Sequence, residues 1–131
     1  MANVGIVLIS HSRALAEGAA ELARQMGVGE VTVRAAGGTE DGGLGTSLDL
    51  VEAAVRAADE GAGVVLIGDL GSSVLTAKTL LEDWEDAETE VVLADAPFVE
   101  GAVAAASAAA GGADVAAVVK AAGEAYEFRK T

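Results

Sequence analysis

The sequence predicts an α/β domain: a three-layer sandwich in which a central parallel sheet of about four strands carries helices on both faces. Three observations predict it. Short apolar, β-branched runs alternate with segments of helical period along the 131 residues, the runs at 5–9 and 64–68 are apolar throughout, and glycine-rich turns punctuate the joins. A run apolar at every position marks a strand covered on both faces. For strand order 2-1-3-4, the crevice where the order reverses lies between the first and third strands, at their carboxyl ends.

The first strand spans about Asn3 to Ser10 and stops at His11, the sole histidine. Ser12 is placed to cap a helix over Arg13–Met26, with Leu15, Ala19, Leu22 and Met26 expected on the buried face and Gly27 and Gly29 ending it. Val31–Ala35 alternates, as an edge strand does. Next comes a glycine-dense loop, Ala36 to Ser47, of a length that in compact domains marks function or mobility. A second helix is expected from Ser47 to Glu60, with Leu48, Val51, Val55 and Ala58 inward.

Val64–Gly68 is the expected central strand, discharging into the turn Asp69-Leu70-Gly71-Ser72-Ser73. A helix over Val74–Trp84 and an acidic connector, Glu82–Glu90, lead to a fourth strand at Val91–Ala94. Pro97 stands near the start of the next helix, where its missing N–H costs least. The rest reads as two alanine-rich helices, Ala102–Ala110 and Asp114–Tyr126, broken at Gly111-Gly112. With no internal repeat or linker, residues 1–131 are expected to form a single domain.

Composition narrows the function. A net charge of −13 repels a phosphate backbone, so nucleic-acid binding is not expected. Without cysteine and with one histidine, a zinc site has no ligand set, and magnesium on Asp41 and Asp69 is only weakly signalled. The glycines at 42, 43 and 45 have neither P-loop nor dinucleotide spacing. No basic leader or membrane-length apolar run is present, so a cytoplasmic location is expected, with no membrane partner. The acidity suits a salt-rich cytoplasm, where screening relieves self-repulsion; an ordinary acidic protein is the alternative.

His11 and Asp69 form the productive pair. A carboxylate bonded to one imidazole nitrogen fixes the tautomer and leaves the other nitrogen free as nucleophile or base. Amides after Ser12 and in the Gly71-Ser72 turn are placed to hold an anion beside it. His11, Thr39, Asp41, Asp69, Gly71, Ser72 and Glu100 all leave strands at one edge of the sheet and are expected to converge. Such a set suits a phosphoryl group carried on histidine, since phosphoryl transfer is mostly positioning and charge stabilisation.

Four stretches, in order, carry a family resemblance: Ile9-Ser10-His11-Ser12; Gly38-Thr39-Glu40-Asp41-Gly42 with Gly45-Thr46-Ser47; Gly68-Asp69-Leu70-Gly71-Ser72-Ser73; and Ala96-Pro97-Phe98-Val99-Glu100-Gly101. They resemble the phosphocarrier subunits (DhaM) of the phosphotransferase-system-dependent dihydroxyacetone kinase, relatives of the mannose-type EIIA domains. The resemblance implies the mannose-type EIIA-like fold with sheet order 2-1-3-4. It implies that His11 is phosphorylated by phospho-HPr, on Nε2, that Asp69 orients it, and that Gly71 and Ser72 form the backbone around the phosphate; Ser12, Thr39 and Asp41, from their places at the same edge, are expected to support it. The acceptor would be ADP on the DhaL subunit, which phosphorylates dihydroxyacetone held by DhaK. No cofactor is then expected on this chain itself. A homodimer is implied as well.

Some relatives carry HPr-like and enzyme I-like domains; with this sequence ending at residue 131, separate proteins are expected to supply them. Leu44, Leu70 and Phe98 are expected to supply docking area, with Arg13 and Arg34 as the nearby basic residues. Two other readings stand: a sugar-permease IIA domain feeding a IIB domain, and a non-catalytic module binding an anion or nucleotide in the same crevice.

Overall fold

The computed structural model describes residues 2–28 and 30–131; Gly29, expected to help end the first helix, lies outside them. Strands β1 (Gly5–Ser10), β2 (Val33–Gly37), β3 (Val64–Gly68) and β4 (Val91–Leu93) form one parallel sheet in the order β2-β1-β3-β4. This is the predicted order. Helices α1 (Arg13–Met26), α2 (Leu48–Ala58), α3 (Gly71–Asp83), α4 (Phe98–Ala110) and α5 (Val115–Glu124) follow in alternation, with a 3-10 turn at Ala125–Glu127.

Strand alternation sorts the side chains. Ile6 and Leu8 of β1 with Val65 and Ile67 of β3 face α1, α4 and α5, while Val7, Ile9, Val64 and Leu66 face α2 and α3. Both central strands are buried at every position, which is why they read as unbroken apolar runs.

The inner face of α1 differs from expectation. Leu15, Leu22 and Met26 are 46%, 44% and 52% exposed, while Ala16, Ala19, Ala20 and Ala23 are buried. Those alanines repeat at helical spacing too, and Ala19, Ala20 and Ala23 meet Ala102, Ala105, Ala106 and Ala109 of α4 in one cluster. Alanine on both sides lets two helices approach more closely than leucine would permit. In α2 the buried set is Val51, Ala54, Val55 and Ala58, and Leu48 is exposed.

Three boundaries also move. The β2 ladder pairs Ile6 with Val33 and Ser10 with Gly37, so the strand takes in Ala36 and Gly37, which the sequence assigned to the loop. Helix α3 starts at Gly71, because the Leu70 carbonyl accepts from the amides of Ser73 (3.0 Å) and Val74 (3.3 Å). Gly71 and Ser72 thus belong to a helix's first turn. Helix α4 begins directly after Pro97, four residues before the expected Ala102. Glu100, expected near the site, lies in that first turn and pairs with Lys130 near the C-terminus.

Candidate active site

The carboxyl edge of the sheet brings together residues 58 positions apart. Chain direction explains this: β1 and β3 are parallel neighbours, so His11 after one and Asp69 after the other emerge side by side where the strand order reverses. The Asp69 amide donates to the Ile9 carbonyl at 3.1 Å, fixing the two strand ends in register.

Each oxygen of Asp69 has its own donors. Oδ1 lies 3.0 Å from His11 Nδ1 and accepts the Leu70 amide at 2.7 Å. Oδ2 accepts the Ser10 hydroxyl at 2.7 Å and the His11 amide at 3.2 Å. Burial alone would push this carboxyl up. The hydroxyl of Ser10 and the amides of Leu70 and His11 outweigh it, holding the pKa at about 2 against an ordinary 3.8. Asp69 is therefore a secure anion at neutral pH. The ring it holds is accessible: the His11 side chain is 30% exposed and that of Asp69 only 8%.

At the other ring nitrogen, Nε2 contacts the Ser72 hydroxyl on α3. No side chain caps that helix, and the amides of Gly71 and Ser72 find no acceptor among the described residues. A hydrogen replaces a side chain at Gly71, and a Cβ there would meet nothing within 4 Å. The approach to Nε2 is thus open and rich in donors. A hollow of about 370 Å³ adjoins Asp69 on the β4 side, lined also by Lys78, Leu93, Asp95 and Tyr126, whose hydroxyl donates to Asp95 at 3.1 Å.

Ser12, Thr39 and Asp41 are engaged otherwise. The Ser12 hydroxyl caps α1 by accepting the Leu15 amide at 3.2 Å. Thr39 donates to Asp41, both accept the Gly43 amide, and Thr39 and Gly43 exchange a further backbone bond of 3.0 Å. These bonds, that of Thr39 first, hold the Asp41 carboxyl below its ordinary value. The loop meets the site by its backbone: the Gly45 amide donates to the His11 carbonyl at 2.9 Å. Gly45 has φ +133°, a conformation that glycine adopts without strain.

The leucines expected to supply docking area are exposed, Leu44 by 84% and Leu70 by 68%, as is Leu75 on α3 at 64%. Phe98, expected among them, packs partly buried against the core instead. Arg13 pairs with Glu17, and Arg34 lies on the edge strand β2. One site residue was given no role in the sequence reading. Ser10, fully buried at the end of β1, links Asp69 to the start of α1, and its only signal was a hydroxyl closing an otherwise apolar strand.

Known proteins resemble this chain over most of its length. Residues 5–119 match the family described as PTS system fructose IIA component. The phosphoryl donor subunit DhaM of PEP-dependent dihydroxyacetone kinase 1 from Listeria innocua is 39% identical over 103 residues, 79% of each chain. The DhaM subunit of Escherichia coli K12 is 37% identical over 131 residues, which cover 97% of this chain but 28% of that longer protein. Among solved structures, a protein of unknown function superposes with a TM-score of 0.81 at 34% identity, covering 92% of this chain and 93% of the other. By its sheet order, its matched residues and these relatives, the chain belongs to the mannose-type EIIA family of the phosphotransferase system, in the branch of the DhaM phosphoryl donor subunits.

Proposed function

We propose that this chain is a histidine phosphocarrier, receiving a phosphoryl group from phospho-HPr on Nε2 of His11 and delivering it to ADP on a DhaL-type subunit for phosphorylation of dihydroxyacetone. The observation that carries the reading is the pairing of His11 Nδ1 with the Asp69 carboxylate at 3.0 Å while the ring stays accessible. An ionised Asp69 holds the proton on Nδ1, so Nε2 keeps its lone pair, directed at the Ser72 hydroxyl and the first turn of α3.

The transfer needs few groups. The Nε2 lone pair attacks the phosphorus, an N–P bond forms as the donor's own bond to phosphorus breaks, and the proton stays on Nδ1. In the second step an oxygen of the ADP β-phosphate attacks, and Nε2 leaves with its electron pair. In this reading the Ser72 hydroxyl and the first-turn amides of α3 meet the phosphoryl oxygens. No cofactor bound to this chain is needed for either step. Docked partners supply the in-line geometry.

Incubation with phosphoenolpyruvate, enzyme I and HPr is expected to leave an acid-labile phosphoryl group on the wild-type chain and none on His11→Ala. Label retained by His11→Ala would end this reading. Offering the labelled chain either a DhaL–ADP complex or a IIB domain identifies the client; discharge only to the IIB domain would move the chain to sugar transport. A chain that takes no label but binds a nucleotide would be a regulatory module.

A further inference from the structure

We propose that Ser10 is a positioning residue for phosphoryl transfer: its buried hydroxyl locks the Asp69 carboxylate in the orientation that keeps the His11 proton on Nδ1. The proposal rests on the carrier reading of His11 and adds to it a residue that touches neither ring nor phosphate.

The direction of the hydrogen bonds carries the argument. Ser10 Oγ lies 3.0 Å from the Ser12 amide and 2.7 Å from Asp69 Oδ2. A backbone N–H can only donate, so the hydroxyl accepts there and its single proton goes to the carboxylate. Ser10 is fully buried on a central strand paired on both sides, to Gly37 of β2 and, through Ile9, to β3. Its hydroxyl therefore has a fixed address. On the same oxygen the His11 amide adds a longer bond of 3.2 Å. Without the hydroxyl, Oδ2 keeps only that bond, the carboxylate gains freedom to turn, and Oδ1 no longer meets Nδ1 in one defined geometry. Small misplacements at a reacting centre cost about tenfold to a hundredfold in rate.

The single histidine makes the test direct, because ¹⁵N imidazole spectra contain one ring. In the wild-type chain the shifts are expected to show the Nδ1–H tautomer. In Ser10→Ala they are expected to move toward a mixture of tautomers, with phosphoryl uptake from phospho-HPr about tenfold slower and its KM unchanged. Ser10→Thr and Ser10→Val have nearly the same shape and differ in the hydroxyl, so threonine is expected to retain more rate than valine. Wild-type shifts and rate in Ser10→Ala, or equal rates for the threonine and valine chains, would overturn the proposal. Should both bulkier chains fail to fold, the alanine ring spectrum decides. A wild-type chain that takes no phosphoryl group sinks the carrier reading instead, and the spectra still report whether Ser10 governs the tautomer.

Discussion

Asp69 divides its work between two oxygens, one toward the ring and one toward the strand that delivers the ring. Asp69→Asn keeps the shape but replaces one acceptor by an NH2 donor, and phosphoryl uptake is expected to fall by about a hundredfold. The same carboxylate links stability to acidity. Its folded pKa of about 2 lies below the ordinary 3.8, so the stability it contributes is complete above about pH 4 and is lost as pH falls through 2. Urea unfolding of the wild-type and Asp69→Asn chains should therefore give curves that converge between pH 4 and pH 2; a gap independent of pH would refute this. At this scale the sequence disclosed His11, Asp69 and Ser72, because each stands where an apolar strand meets a helix start. It did not disclose that Thr39 and Asp41 bond to each other, since two polar residues on a flexible loop have no defined direction until the loop folds. Ser10 was hidden for the opposite reason: a serine ending a strand looks like solvent exposure.

Between elements, the tightest joint near the site is Gly37 against the start of α1. A Cβ at Gly37 would lie 2.5 Å from the Ser12 carbonyl oxygen, 2.7 Å from Ala16 Cβ and 2.8 Å from Arg13 Cα. None of these is the far end of a flexible side chain, so the helix itself would have to shift. Gly37→Ala is expected to destabilise the fold by about 1–3 kcal/mol in urea titrations and to slow phosphoryl uptake, because His11 sits on the moved segment. An alanine chain as stable as wild type would show that β2 and α1 can separate without cost. Element types were legible throughout, as strand and helix periods differ plainly. Boundaries were less so: Gly71 and Ser72 looked like a turn because glycine and serine are poor helix formers, yet the Leu70 carbonyl starts the helix there. The inner face of α1 was misread because leucine outranks alanine in any hydrophobic count, whereas the space beside α4 admits only alanine.

For the whole molecule the governing quantity is charge. Of the 21 acidic side chains, only Glu17, Glu52, Glu100 and Glu124 pair with lysine or arginine among the described residues. Mutual repulsion among the others opposes compaction and is relieved by screening. The melting temperature is expected to be higher in molar potassium chloride than in dilute buffer; no difference would remove the inference of adaptation to salt. The parallel sheet was legible in alternating strands and helices, whereas its order came in advance from the family resemblance, since right-handed crossovers alone leave several arrangements.

An interior lined by methyl groups has its own pattern of fragility. Where Ala19, Ala20 and Ala23 meet Ala102, Ala105, Ala106 and Ala109, almost nothing remains to be trimmed, and any enlargement must wedge two helices apart. Ala20→Leu is expected to lower stability by about 1–3 kcal/mol, whereas Leu22→Ala, on the opposite side of the same helix, should fall within about 0.5 kcal/mol of wild type in urea titrations. Mutational tolerance in this molecule would then run against custom, with the smallest side chains the least replaceable and several of the largest free to vary.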